Sequence, residues 1–183
     1  MFPKQILNNK KTMKKGILIA GISAIALLGS CASNPSAKVA NETGKVVRGS
    51  WTLTSVDYSG LAKNKIEGNV KVNESVSKVF DTASPQCYEG STWSLVQNNK
   101  KGTYTFNNSG AGCPQGTANI IWDMQQDGST TYFIFKDVTG IKAKQNTAGY
   151  KMRVSSANEN TMTLVQDVKA DGKIAQVIYN FQR

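Results

Sequence analysis

The sequence predicts an all-β domain, a small antiparallel up-and-down β-barrel of about eight strands with one short helix. Three observations predict it. From Val47 onward, apolar and polar residues alternate with a period of two in run after run. Clusters of turn-forming residues separate the runs at hairpin spacing. Each run offers one apolar face, and closing the sheet buries those faces while removing sticky edge strands. A two-sheet sandwich is the alternative architecture.

The strands follow in order. Trp51 and Leu53 face one way, Thr52 and Thr54 the other. Ile66, Val70 and Val72 alternate with Glu67, Asn69 and Lys71, and Trp93 and Leu95 flank Ser94. Tyr104 and Phe106 alternate with Thr103 and Thr105, while Ile120, Trp122 and Met124 share a face. Tyr150, Met152 and Val154 oppose Lys151, Arg153 and Ser155. Met162 and Leu164 oppose Thr161 and Thr163, and Val177, Tyr179 and Phe181 oppose Gln176 and Asn180. Thr131–Lys136 (TYFIFK) differs, because it is apolar on both faces. Such a strand is covered on both sides or has an outer face that meets something. Turns fall at 98–102, 126–128, 158–160 and 170–173, all rich in Asn, Asp, Gly or Lys. In Glu74–Thr82, Val76, Val79 and Phe80 stand at i, i+3 and i+4, which predicts the short amphipathic helix.

The first 30 residues read differently. Lys14 and Lys15 precede an apolar run of 13 residues, Gly16–Leu28, and small residues follow. A basic start, a short apolar stretch and a small-residue cut predict a secretory signal peptide over 1–30. The run is short for a membrane span. Met13 reads as the natural start, with residues 1–12 adding only basic, polar sequence. Leu28-Gly29-Ser30-Cys31 resembles the lipobox of bacterial lipoproteins. The resemblance implies that the Cys31 thiol is acylated and that the mature chain begins there. Residues 32–46 are small and polar, with Pro35 and Gly44, and with Cys31 they predict a lipidated, flexible tether over 31–46. A coil of that length would hold the domain, 47–183, ~20 Å from the membrane.

Composition narrows function. Five of the 22 basic residues and none of the 12 acidic ones lie in the first 30 positions, which leaves +5 of the +10 net charge for the rest. Those basic residues are scattered. They predict solubility and weak attraction to anionic lipid headgroups, not a nucleic-acid footprint. The chain has no His, which removes His-based acid–base catalysis and His-ligated metal sites. Neither a Gly-x-Ser-x-Gly elbow nor a phosphate-cradling glycine loop is present. Glu89 and Asp123 are the carboxylates to consider as an acid–base pair, but their spacing does not support one. No enzyme activity, cofactor or metal is expected. Beyond Cys31 only Cys87 and Cys113 remain, an even pair that suggests a disulfide in an oxidising compartment, with two buried thiols as the alternative.

Gly49-Ser50-Trp51 opens the domain and resembles the Gly-x-Trp signature on the first strand of lipocalins. With Cys87–Trp93 (CYEGSTW), Gly102-Thr103-Tyr104, Gly112-Cys113, Ile121-Trp122 and Tyr179-Asn180-Phe181, the order is similar to that of the lipocalin-like domain lipoproteins of Bacteroidetes. The similarity covers about residues 46–183. It implies an up-and-down barrel whose cup takes a small hydrophobic molecule, such as a lipid or fatty acid. It places the family's arginine, which packs on the first-strand Trp, at Arg183. The Thr-Asp-Tyr type motif of the well-studied lipocalins has no counterpart. Surface-displayed lipoproteins of that phylum carry acidic residues after the lipidated Cys; Ala32–Ser36 has none, which implies the periplasmic face of the outer membrane.

Trp93, Trp122, Tyr132, Tyr150 and Tyr179 are the candidate ligand contacts, since an apolar cup with a few polar tips is what small-ligand sites look like. The bland reading of each ring is core filler. Two functions compete: a membrane-tethered carrier of a hydrophobic molecule, and an interaction lipoprotein with a filled barrel whose outer surface meets a protein or envelope polymer. The state of the interior discriminates between them.

Overall fold

The computed structural model describes residues 34–60, 65–67, 70–72, 76–170 and 172–183, with backbone only for 65–67 and 70–72. Residues 1–30, where a signal peptide is expected, and Cys31 lie outside the described residues. The elements are α1 (Pro35–Val47), β1 (Gly49–Ser59), β2 (Lys65–Glu67), β3 (Val70–Val72), a 3-10 turn (Pro85–Tyr88), β4 (Thr92–Val96), β5 (Lys101–Phe106), β6 (Gly116–Asp127), β7 (Thr130–Asp137), β8 (Tyr150–Ala157), β9 (Thr161–Ala170) and β10 (Lys173–Gln182).

Eight strands close a barrel in the order β1-β10-β9-β8-β7-β6-β5-β4, every pair antiparallel, with β1 against β4 completing the circle. The expected barrel is therefore present, and the period-two alternation is its cause. Along β6, Ala118, Ile120, Trp122 and Met124 point inward, and along β10 Ala175, Val177, Tyr179 and Phe181 do the same. Gly102 on β5 lies opposite Leu95, and a Cβ there would stand 2.6 Å from the Ser94 carbonyl oxygen, so this crossing of β4 and β5 requires glycine.

Three expectations are corrected. Ile66, Val70 and Val72 do not belong to a barrel strand; β2 and β3 pair as a separate two-stranded sheet. The helix expected over Glu74–Thr82 is absent from its described part. Residues 79–83 form a tight turn, closed by Thr82 N–H donating to the Val79 carbonyl at 3.0 Å. Phe80 and Asp81 have φ of +50° and +52°, values outside any right-handed helix. The apolar spacing that suggested a helix comes instead from Val76, Val79 and Phe80 each being buried against the barrel. Finally, the tether expected over 31–46 is mostly helix. The Asn34 side chain caps α1 by accepting from Ser36 N–H at 3.0 Å, and Pro35 occupies the first turn, where a missing N–H costs nothing. Ala40, Gly44 and Val47 form its buried face. Gly44 lets α1 sit close to Gln97 and Met124.

The barrel has two different ends. At the floor, α1 packs mainly on β6 and also touches β7 and β8. Trp51 is buried there, and its indole N–H donates to the Val47 carbonyl at 2.6 Å. Gly49 holds φ +112°, a conformation that side-chain-bearing residues rarely adopt, which gives the Gly-x-Trp spacing its physical reason. At the mouth lie the 79–83 turn, the 3-10 turn and the disulfide between Cys87 and Cys113, which joins residues 26 apart.

Candidate functional site

The lumen is packed with aromatic rings that meet across it. Trp93 of β4 lies 5.7 Å, centroid to centroid, from Phe135 of β7 and 5.7 Å from Phe181 of β10, edge to face in both cases. Trp93 also stacks on Tyr104 at 4.9 Å. Nearer the floor, Trp122 stacks on Phe133 at 5.7 Å. These geometries are the favourable ones for ring quadrupoles.

Phe80 fills the mouth. Its ring is surrounded by Phe135 at 5.0 Å, Tyr150 at 5.3 Å, Tyr88 at 5.4 Å and Tyr179 at 5.5 Å, the last stacked. The turn that carries it is strained: two consecutive left-handed residues with side chains cost about 1–3 kcal/mol each. Burial of the ring offsets that cost. The Tyr150 hydroxyl, at 3.2 Å from a carboxylate oxygen of Asp81, ties the turn to β8.

Tyrosine hydroxyls line this end. Tyr104 donates to Asp137 at 3.1 Å and Tyr179 to Gln166 at 2.8 Å. The Tyr88 hydroxyl is fully buried; Thr82 and Tyr104 are its polar neighbours, yet among the described residues no group meets it in hydrogen-bonding geometry. Burial, the largest cause, pushes Tyr88 up to about 12, the nearby hydroxyls only partly offsetting it. Tyr150 also rises to about 12, through burial first and then the charge of Asp81. Burial raises Tyr104 and Tyr179 as well, and Tyr58 too, with the Glu89 charge adding to it. These are neutral phenols in an apolar packing.

Of the five rings expected to line a cup, Trp93, Trp122 and Tyr179 are buried inside the barrel, and Tyr150 is half-buried at its mouth. Tyr132 is not inside. On β7 it is Phe133 and Phe135 that point inward, in register with Met124 and Trp122 on β6, so Tyr132 and Ile134 face out. Lys151 Nζ sits 3.8 Å above the Tyr132 ring.

The two carboxylates considered for chemistry are engaged structurally and in different places. Glu89 accepts from Val56 N–H at 2.9 Å beside the mouth. Asp123, on the outer wall, pairs with Lys100 at 2.9 Å and accepts from Met124 N–H at 2.8 Å. Among the described residues, no three His, Cys, Asp or Glu side chains converge as a metal site would require.

A feature that sequence reasoning only half anticipated lies on that outer wall. A groove of about 500 Å³ runs across β6, β7 and β8. Ile121 and Ile134 give it an apolar floor, with Gly149 and Tyr150 at one end. Lys100, Lys136 and Lys151 rim it, along with Asp123. The signal for it was the two-faced TYFIFK run, since Ile134 and Lys136 both belong to it. Phe80 was recognised as apolar, but nothing local marked it as the filling of the mouth.

No protein-family model, curated protein or solved structure matches this chain.

Proposed function

We propose that this chain is a lipid-anchored lipoprotein of the cell envelope, acylated on Cys31 at the periplasmic face of the outer membrane. In this reading its lipocalin-like barrel is a solid binding module that works through its outer wall. The observation that carries the reading is the contact of rings across the lumen, Trp93 with Phe135 at 5.7 Å and Phe80 with four further rings. A carrier needs a cavity of roughly 300–1,000 Å³ for a drug-sized ligand. Among the described residues, buried side chains meet across the lumen, while an apolar concavity lies outside on β6–β8. The Gly49–Trp51 start, the floor helix and Arg183 on Trp51 support the lipocalin-like part of the reading.

Native mass spectrometry of residues 32–183 with added fatty acid, read together with lumen resonances in NMR, tests it. The expected outcome leaves the Trp93 and Tyr179 signals unmoved. A bound acyl-sized mass that shifts both signals would reinstate the carrier.

A further inference from the structure

We infer that the β6–β8 wall is the face by which the domain lies on an anionic membrane, its groove receiving the acyl region of a lipid and its lysines the headgroups. This rests on the outer-wall reading above and names its partner.

Chain length supplies the first argument. A flexible tether would leave the domain free to turn any face to the bilayer. The residues expected to be tether are helix from Pro35 onward, and the helix is packed on the barrel. Only Ala32 and Ser33 then separate an acylated Cys31 from the first described residue, Asn34. Three residue steps span at most about 10 Å. The acyl anchor therefore holds the domain against the surface. The element nearest the anchor in sequence, α1, touches β6, β7 and β8, the strands that carry the groove.

The chemistry of the groove is the second argument. Its floor is aliphatic, with Ile121 and Ile134 half-buried on the outside of the sheet. Three ammonium groups surround that floor against one carboxylate inside the rim, Asp123, which Lys100 already holds at 2.9 Å. Lys151 lies over the Tyr132 ring and has only a loose acidic partner, Asp127 at 3.9 Å, and Lys136 donates to the Asn146 carbonyl at 3.3 Å. Among the described residues, two cations thus remain without a tight counter-charge beside apolar surface. Long lysine stems can lie along that surface while their heads reach phosphate, as they do at membrane interfaces. Tyr132, outward on the same strand, adds an amphipathic ring of the kind enriched at that depth.

The test uses residues 32–183, which contain the compact unit that carries the whole closed barrel, so that neither an acyl anchor nor the apolar run Gly16–Leu28 contributes affinity. Vesicles of phosphatidylcholine alone, or with phosphatidylglycerol, are the probe. An environment-sensitive dye is placed at Ile134→Cys or, on the strand across the barrel, at Thr52→Cys; the native Cys87 and Cys113 are bonded to each other and do not react. The expected result is partition to the anionic vesicles only, with the dye at 134 shifting to the blue and the dye at 52 unchanged. Lys136→Gln with Lys151→Gln should lower partition at least tenfold, and added salt should weaken the unsubstituted chain more than that variant. Equal partition to both vesicle types, or an equal response at 52, overturns the inference. So does binding of monomeric dodecyl phosphate without vesicle partition, which would mark a site for a free amphiphile. A dye at 134 that stays in water would leave the groove to a protein partner and the solid-barrel reading intact. Movement of the Trp93 and Tyr179 signals would instead defeat that reading.

Discussion

The Arg183 guanidinium lies over the Trp51 indole, 4.3 Å from the ring centroid to Cζ, and its Nη2 donates to the Val46 carbonyl at 2.8 Å and the Arg48 carbonyl at 2.6 Å. One side chain thus joins the C-terminal end of α1, the first strand and the last. A planar cation that stacks and forks at once suits arginine and not lysine. Arg183→Ala should cost about 1–2 kcal/mol, from the lost stacking and two carbonyls left to water. Arg183→Lys should recover less than half of that. Urea midpoints of the three proteins measure it, and a Lys variant as stable as the original would show that charge alone matters.

Phe80 presents the opposite balance, a ring well placed on a backbone badly placed. Removing a buried Phe ordinarily costs about 3–5 kcal/mol. Phe80→Ala should fall in the lower half of that range, because the turn loses its reason to hold φ +50° and can relax. Hydrogen exchange should then quicken at 79–83 while the β9–β10 amides stay protected. Uniform quickening across the barrel would mean that the ring is part of the global core and not a local plug.

The disulfide holds the mouth segment to the loop before β6. Closing a span of 26 residues should contribute about 3.5 kcal/mol through the unfolded chain. Cys87→Ala with Cys113→Ala should therefore lower Tm by roughly 10 °C. Scanning calorimetry of the oxidised, reduced and double-variant proteins should group the last two together. A reduced protein that melts with the oxidised one would show that the packing of the 3-10 turn, where Tyr88 is buried, already fixes the segment.

How much of this could be read from the chain depended on whether burial was one-sided. β4, β6 and β10 were legible because polar residues mark their outer faces. TYFIFK carried no such mark, so its register was open, and Tyr132 was assigned to the interior that Phe133 and Phe135 take. α1 was illegible for another reason: its buried face is Ala40, Gly44 and Val47, too small to stand out as an apolar stripe. Helical order there comes from the Asn34 cap and from docking on β6, and docking is a tertiary effect. The groove needed three strands brought side by side, and no one of them announces it.

High pH offers a test of the tyrosine-lined mouth. In the unfolded chain these phenols titrate near 10, whereas in the folded protein burial holds Tyr88 and Tyr150 up to about 12. Between those values the unfolded state has lost protons that the folded state keeps. It binds fewer protons, so stability falls as pH rises. The contribution is fully present below pH 10 and is lost progressively towards 12. A buried phenol such as Tyr88 should steepen the loss by about 1.4 kcal/mol per pH unit, and half-exposed Tyr150 by much less because water screens it. Tyr88→Phe should remove roughly one proton from the slope. It should also leave stability at neutral pH unchanged or slightly higher, since among the described residues the deleted hydroxyl is buried without a partner. Urea midpoints across this range, followed with tyrosinate absorbance, provide the measurement. A Tyr88→Phe protein that is less stable at neutral pH would mean that the hydroxyl is satisfied in solution, by an ordered water at the mouth.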